Sequence, residues 1–217
     1  MDHSVNTTSS SKPIVYGADY SVYVRIVRLV LEEKGIDYEL VPVDVFAADG
    51  IPAWYFEHHP FGRIPAFEHD GFRLFETSAI ARYVDEAFDG PALQATEPRG
   101  RATMNQIIGM LDAYAYRSMV WDVAVERLEK AQPDEALIAG GLAQASKALR
   151  TLSALKAPGP WLLGDQLTLA DLHAAPIIGY FVKVAEGRNL LAEFPDIRDW
   201  YARIAARPSF VRTEKIG

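Results

Sequence analysis

The chain has 217 residues and a mass of 24.1 kDa, a length typical of one large or two small domains. Its composition, with 49% hydrophobic and 24% charged residues, is that of a folded protein and excludes disordered or collagen-like chains. The net charge of −7, with no block rich in Lys or Arg, argues against nucleic acid or an anionic membrane surface as a partner. No cysteine is present, so disulfides, thiolate metal sites and a cysteine nucleophile are excluded, and any thiol chemistry must use a sulfur atom of a ligand.

The start of the chain predicts neither a targeting signal nor a membrane anchor. Residues 1–12 are polar and rich in Ser and Thr, without the basic and apolar segments of a signal peptide, so we expect a flexible arm. The longest apolar runs, such as Ala174–Val182, are much shorter than the roughly 20 residues that a membrane-spanning helix needs. The sequence therefore predicts a cytoplasmic protein.

The first part of the chain alternates between strand and helix patterns. In order, it predicts a strand at Ile14–Gly17, a helix at Val22–Lys34 ended by Gly35, a strand at Tyr38–Val43, a polar and partly helical connection at Ala47–His59, a hairpin turning at Asp70–Gly71, and a helix from Glu76 to Phe88. This order of elements, β-α-β-α-β-β, predicts a mixed α/β domain over residues 13–89.

The second part of the chain contains helix patterns and no strand pattern of comparable quality. Helices are predicted at Pro98–Ala131, Pro133–Leu155, Thr168–Val184 and Pro195–Ala206. Thr168 and Asp171 have the spacing of a capping box, in which each residue satisfies a backbone N–H at the start of a helix. We therefore predict an all-helical second domain over residues 98–217, joined to the first by a linker at residues 90–97.

Five pieces of the sequence, in their order along the chain, resemble the cytosolic glutathione S-transferases. They are Tyr16–Ser21, Arg25, Pro60–Ala66, Phe75–Ile80 and Leu163–Asp171. The resemblance covers about residues 13 to 210, and within the family it is nearest to a bacterial type of the serine-type (phi/theta-like) branch. It implies a thioredoxin-like N-terminal domain, a helical C-terminal domain, a homodimer, glutathione as co-substrate and a role in detoxification.

The resemblance implies a cis peptide bond at Ile64–Pro65. The backbone of Ile64 would then face outward, where an extended peptide such as glutathione can pair with it as an added strand. Because cis bonds are only about 5–6% of X-Pro bonds, an ordinary trans proline is the alternative. Arg63 stands where relatives have Gln or Lys, and its guanidinium is expected to bind the glycyl carboxylate of glutathione.

Glu76 and Thr77 lie at a predicted helix start. The helix dipole and the free N–H groups favour a ligand carboxylate there, the Thr77 hydroxyl can donate to it, and Glu76 can accept from a ligand ammonium. The γ-glutamyl end of glutathione carries both groups on one carbon. The alternative is plain capping of the helix by an acid and a threonine.

Ser21 is the candidate for catalysis. A hydroxyl at the start of the first helix can donate to the glutathione thiolate, and the helix dipole adds to the stabilisation of its charge. Tyr16, on the first strand, and Tyr20 are the alternative hydroxyls, and Ser21 serving only as a helix cap is a further alternative. The resemblance to the serine-type branch places Ser21 first.

Other polar residues receive weaker assignments. His58 and His59 lack the spacing of metal ligands, so no metal is expected, and the pair is interpreted as surface loop residues with His59 at the glutathione site. His173, inside an apolar helix, is interpreted as a core histidine with a satisfied partner. For the second-substrate pocket, the helix beginning at Pro98 offers Tyr114, Arg117 and Trp121.

These residues predict an enzyme that conjugates the glutathione thiolate to an electrophilic, largely apolar small molecule in the cleft between the domains. A glutathione-dependent dehalogenase or isomerase on the same scaffold needs the same thiolate and remains an alternative. A non-catalytic binding or interaction module of the same fold is the alternative from a different class. Such a module would tolerate the loss of Ser21, Glu76 or Pro65, and all three residues are present.

Overall fold

The computed structural model describes residues 11–214, so nearly all of the predicted arm lies outside the described residues. A four-stranded sheet contains β1 (Ile14–Gly17), β2 (Glu39–Pro42), β3 (Ala66–His69) and β4 (Phe72–Phe75) in the order β2-β1-β3-β4. Strand β1 is parallel to β2, whereas β3 is antiparallel to both β1 and β4. The β3–β4 hairpin turns at Asp70 and Gly71, which have φ angles of 51° and 79°, as the sequence predicts.

Two helices cover one face of this sheet. Helix α1 (Val22–Lys34) begins after Ser21 and ends at Gly35, whose φ of 71° suits glycine, and helix α2 (Thr77–Ala87) packs beside it. Val15 of β1 points into the large core beneath α1, whereas the neighbouring Tyr16 points to the opposite face, under a 3₁₀ helix at Ala53–Glu57. Strand β1 thus separates the large core beneath α1 from a smaller apolar cluster that contains Tyr16.

The second domain is helical throughout its described length, to residue 214. It contains α3 (Pro98–Met110), two π-helical segments (Leu111–Ala115 and Arg117–Val125), α4 (Glu126–Glu129), α5 (Glu135–Leu155), α6 (Leu169–Phe181), α7 (Ala185–Ala192), α8 (Pro195–Ala205) and α9 (Pro208–Arg212). The mixed first domain and helical second domain confirm the predicted fold class. Helices α7 and α9 were not predicted, because eight and five residues are too few to show a helical period.

Asp171 anchors α6, the most buried helix of the second domain. The predicted capping box with Thr168 is present, and the Asp171 carboxylate also accepts hydrogen bonds from the Leu162 N–H and the Trp200 indole, each at 2.8 Å. Helix α6 ends at Phe181 rather than Val184, because the N–H groups of Lys183 and Val184 bond to Tyr180 and Phe181 in a tighter turn.

The two domains share one continuous apolar core, which includes residues of α1, α2, α3 and α6. Buried Lys34 ties the end of α1 to the linker, since its ammonium donates to the carbonyls of Asp85 and Pro91 and lies 3.3 Å from the Asp85 carboxylate. The shared core fixes α1, and with it Ser21, against the second domain. Among residues 11–214, no helix is long and apolar enough to cross a membrane.

Candidate active site

Ser21 lies at the N-cap of α1, on the wall of a cavity of about 260 Å³ between the domains. Its Oγ accepts a long hydrogen bond from the Val24 N–H, at 3.4 Å, which confirms the capping role. Within residues 11–214 the Ser21 hydroxyl donates to no protein acceptor. Capping uses only an oxygen lone pair, so the hydroxyl proton remains available to an anion in the cavity.

Neither alternative tyrosine offers a comparable hydroxyl. Tyr20 donates its hydroxyl to the Asp44 carboxylate at 2.7 Å, and burial together with this bond raises the pKa of Tyr20. Tyr16 lies on the other face of β1 from α1, where its ring stacks on His58 with centroids 4.2 Å apart. Burial and nearby Glu68 raise the pKa of Tyr16. Of the three candidate hydroxyls, Ser21 is the one with both an uncommitted proton and a place on the cavity.

The Ile64–Pro65 peptide bond is cis, as predicted. Among the described residues, no protein group bonds to the N–H or the C=O of Ile64, so both are open to a ligand backbone. The loop is held from inside by the Tyr55 hydroxyl, which donates to the Arg63 carbonyl at 2.6 Å. The Arg63 side chain is exposed and makes no ion pair within residues 11–214, so its guanidinium is accessible.

Glu76 precedes α2 in an unusual backbone conformation. Its φ of 72° is rare for a residue with a side chain and costs on the order of 1–3 kcal/mol, and such positions cluster at binding sites. The Glu76 carboxylate is exposed and makes no capping bond, whereas Thr77 is buried at the first position of α2. Plain capping therefore does not account for Glu76, and an accessible carboxylate beside a free helix N-terminus suits a ligand that carries both charges.

His59 is not the surface loop residue that the sequence suggested. It is buried, its Nδ1 accepts a hydrogen bond from the Phe61 N–H at 3.3 Å, and its ring packs on Phe75 with centroids 4.9 Å apart. Burial lowers its pKa. His59 therefore shapes the turn before Ile64, and its contact with glutathione stays a prediction.

Comparisons with known proteins show which family the chain belongs to. The model of the glutathione S-transferase N-terminal domain matches residues 15–92, and that of the C-terminal domain matches residues 135–203. The chain is 30% identical to glutathione S-transferase F13 of Arabidopsis thaliana over 204 residues, which cover 91% of this chain and 93% of the relative. It is also 30% identical to glutathione S-transferase PARB of Nicotiana tabacum, over 91% of this chain and 95% of that protein. The chain belongs to the glutathione S-transferase family.

Solved structures of the family resemble this transferase over most of its length. The crystal structure of poplar glutathione transferase F1 superposes with a TM-score of 0.81 at 26% identity, covering 94% of this chain and 96% of that one. Glutathione S-transferase III in its apo form also gives a TM-score of 0.81, at 30% identity, with 94% and 95% covered.

Trp121 of this glutathione S-transferase contacts the first domain through Phe46, whereas the other two predicted pocket residues are exposed. None of the three lines the cavity beside Ser21, and their place in the second-substrate pocket stays a prediction. The Trp121 ring contacts Phe46, which in turn contacts Tyr20, each pair with centroids 6.0 Å apart. Tyr114 is 67% exposed, and the Arg117 side chain is 72% exposed and paired with Asp122. Both lie on the outward side of their helix, which apolar periodicity alone did not distinguish.

Sequence reasoning missed two groups of residues at the cleft. One is Phe46, on the loop after β2, whose exposed ring gave no periodic signal. The other is the hydrogen-bonded set in which the Tyr23 hydroxyl and His173 Nε2 both bond to Asp112 Oδ1, at 3.1 and 2.7 Å. The satisfied core histidine predicted at His173 is confirmed. Its partner is 61 positions away in sequence, so no local pattern could reveal it.

No group of three or more His, Asp or Glu side chains among residues 11–214 is arranged to hold a metal ion.

Proposed function

We propose that this protein is a glutathione transferase in which glutathione lies along the first domain with its sulfur at Ser21. The thiolate attacks an electrophilic carbon of a second substrate in the cleft. A C–S bond forms, the leaving group departs with its bonding electrons, and the thiol proton passes to solvent. The observation that carries this proposal is the Ser21 hydroxyl, which has an uncommitted proton at the start of α1 and faces an interdomain cavity.

The energy required at Ser21 is modest. A free thiol has a pKa near 8.5, so holding it ionised at neutral pH requires a shift of about two units, or roughly 2.7 kcal/mol of preferential stabilisation of the anion. One charge-assisted hydrogen bond and a helix N-terminus are together sufficient for a shift of this size.

The remainder of glutathione fits the other predicted residues. The open backbone groups of Ile64 support pairing with the cysteinyl part, and the accessible Arg63 guanidinium suits the glycyl carboxylate. Glu76 and the start of α2 suit the ammonium and carboxylate of the γ-glutamyl end. Pro65 holds the loop, and His59 lies beneath it.

We place the chain in the serine-type (phi/theta-like) branch, because Ser21, and not Tyr16, offers the free hydroxyl. The bacterial type stays a prediction, since the relatives named above come from plants. We also propose the domain division at residues 13–89 and 98–217, a cytoplasmic location and a homodimer. Exposed Phe61, Phe72 and Tyr114 supply apolar surface for a second copy, which light scattering of the purified protein tests.

A non-catalytic interaction module is less favoured, because it would tolerate the loss of Ser21, Glu76 or Pro65, and all three residues are present. A dehalogenase or isomerase shares the thiolate and differs only in the second substrate. It is less favoured, because the relatives named above are glutathione S-transferases.

The test is calorimetric titration of glutathione, with ultraviolet difference absorption of the bound thiolate, on the wild-type protein and on Ser21→Ala. We expect wild-type binding with a thiolate signal at pH 7. In Ser21→Ala we expect retained binding, loss of the signal, and a fall in kcat/KM of about 10²–10³ with 1-chloro-2,4-dinitrobenzene.

Tyr20→Phe is the matched control, because its hydroxyl is committed to Asp44. Its thiolate signal is expected to equal that of the wild type. No binding at millimolar glutathione would contradict the enzyme proposal. A thiolate signal that is lost in Tyr20→Phe but kept in Ser21→Ala would assign stabilisation of the thiolate to Tyr20 instead of Ser21.

A further inference from the structure

The cavity beside Ser21 is unusually charged for a site that receives an apolar electrophile. Five of its ten lining residues carry a formal charge. The volume of about 260 Å³ suits one substituted ring, since a cavity of about 150 Å³ holds benzene. The second domain contributes Glu129, Lys183 and Glu214, helix α1 contributes Arg25, and the segment before α1 contributes Asp19.

Arg25 is the least exposed of these charges. It lies four residues after Ser21, so the two side chains share one face of α1. Its Nη2 donates to the Phe210 carbonyl at 2.9 Å, and its guanidinium carbon lies 3.9 Å from the centre of the Phe210 ring. Its Nε is fully enclosed and has no acceptor. Among residues 11–214, no carboxylate comes within 4.0 Å of Arg25.

Arg25 is thus a partly desolvated cation that Phe210 anchors on one side. Glu214, which lines the same cavity, attracts it without forming a direct ion pair within the described residues. Burial lowers the pKa of Arg25, which reflects the cost of keeping the charge away from water. A guanidinium in such a position gains most from an anion that forms charge-assisted hydrogen bonds with it.

The other charges differ from Arg25 in their exposure. Glu129 and Glu214 are exposed, so water solvates them and they need no ligand. Lys183 is exposed as well; its ammonium lies over the Tyr180 ring, 4.7 Å from the centroid, and no carboxylate pairs with it within the described residues. The cavity therefore has one half-buried cation, Arg25, among exposed charges of both signs.

We propose that Arg25, assisted by Lys183 at the rim, binds a carboxylate of the second substrate, so that the preferred electrophiles are small compounds with one anionic group. The inference rests on the transferase function proposed above. The ring of such a compound would meet Tyr20, which lines the cavity and contacts Phe46.

The test uses two electrophiles with the same reacting carbon, 4-chloro-3-nitrobenzoate and its neutral analogue 4-chloro-3-nitrobenzamide. In each reaction the glutathione sulfur bonds to the ring carbon and chloride leaves. Each kcat/KM is divided by the uncatalysed rate constant with glutathione, which removes the difference in intrinsic reactivity. Wild type, Arg25→Gln, Lys183→Gln and Lys147→Gln are compared; Lys147 is exposed on α5 and does not line the cavity.

We expect the wild type to prefer the benzoate by about tenfold or more, which a single charge-assisted contact can supply. Arg25→Gln should abolish this preference, Lys183→Gln should reduce it about two- to threefold, and Lys147→Gln should keep it. Equal normalised rates in the wild type, or a preference that survives both Arg25→Gln and Lys183→Gln, would overturn the inference.

Because Arg25 also holds Phe210, its replacement can unfold the protein, and Lys183→Glu then serves in its place. Reversal of an exposed charge leaves the fold intact and should lower the benzoate preference more than Lys183→Gln does. Binding of 4-nitrobenzoate and 4-nitrobenzamide, followed by calorimetry, separates the two proposals. Carboxylate-selective binding without turnover would support the carboxylate site at Arg25 and contradict the transferase function. Turnover of both electrophiles without preference would support the transferase function and contradict the carboxylate site.

Discussion

The edge of the first domain at which we propose that glutathione binds and the cavity wall of the second domain are built in different ways. At the first, most of the groups available to a ligand belong to the backbone. They are the open peptide of Ile64, the start of α2 after Glu76, and the start of α1 at Ser21. At the second, side chains from distant elements line one cavity, as do Glu129 and Lys183, which are 54 positions apart in sequence. Backbone sites are specified by short local motifs, whereas side-chain sites depend on tertiary packing.

The largest expected effect comes from breaking the support of the second-domain wall. Asp171 accepts four hydrogen bonds at the start of α6, which carries Tyr180 to the cavity. Asp171→Ala leaves buried donors unpaired and should lower the free energy of unfolding by about 3–5 kcal/mol. Denaturant unfolding measures it.

The control for this change is Asp165→Ala, an exposed aspartate just before the same helix, which should remain within about 0.5 kcal/mol of the wild type. A loss below about 1 kcal/mol in Asp171→Ala would mean that the second-domain wall does not depend on this anchor.

A smaller effect is expected on the backbone-built side. Glu76→Gln keeps the shape of the side chain but removes its charge, and should weaken glutathione binding by about 1.5–2 kcal/mol with little change in stability. Glu76→Gly should weaken binding similarly and raise the free energy of unfolding by about 1 kcal/mol, because glycine accepts the φ of 72° without strain. Calorimetry and denaturant unfolding give the two quantities.

Glu193→Gln, on the exposed surface after α7, is the matched control for charge. If Glu76→Gln bound glutathione as the wild type does, the strained backbone at Glu76 would have to serve the fold alone.

The contrast between the two regions also explains what the sequence could predict. The elements around Ser21 and the capping box at Asp171 follow from short motifs, whereas the cis bond at Ile64–Pro65 was implied by the family resemblance. All three are present in the structure. Tyr114 and Arg117 were assigned from one apolar stripe, which identifies a buried face but not which neighbouring residues reach a cavity. The partners of His173 and Arg25 lie in other helices, so only the folded chain brings them together.

A third prediction concerns the attachment of α9 to α1. Arg207 and Ser209 both donate to the Glu33 carboxylate, and burial of Glu33 opposes its ionisation, but these bonds outweigh burial and lower its pKa. Because the folded-state pKa is depressed, the stabilisation is present above the ordinary value of about 4.3 and is lost as the pH falls through the folded value.

We therefore expect Glu33→Gln to lower the free energy of unfolding by about 1–2 kcal/mol at pH 7, and the difference from the wild type to shrink steadily below about pH 4.3. Denaturant unfolding at a series of pH values measures the difference. A constant difference between pH 7 and pH 3 would show that shape, and not charge, accounts for the contact.

The smallest expected effect tests whether the two regions are coupled at Ser21. Tyr23 lies two residues after Ser21, and its hydroxyl donates to Asp112 of the second domain. Tyr23→Phe should lower stability by only about 0.5–1.5 kcal/mol, since His173 still bonds to the same oxygen. If this bond also fixes the start of α1, the pKa of the bound glutathione thiol should rise by a few tenths of a unit, as ultraviolet titration would reveal.

Tyr114→Phe, with an exposed hydroxyl, should change neither quantity. A stability loss in Tyr23→Phe with an unchanged thiol pKa would make the bond purely structural. In a double-mutant cycle with His173→Gln, the two changes should not be additive, because both donors share Asp112 Oδ1 and each supports the position of the other. Additivity would instead mean that the backbone-built start of α1 holds its place without help from the second domain.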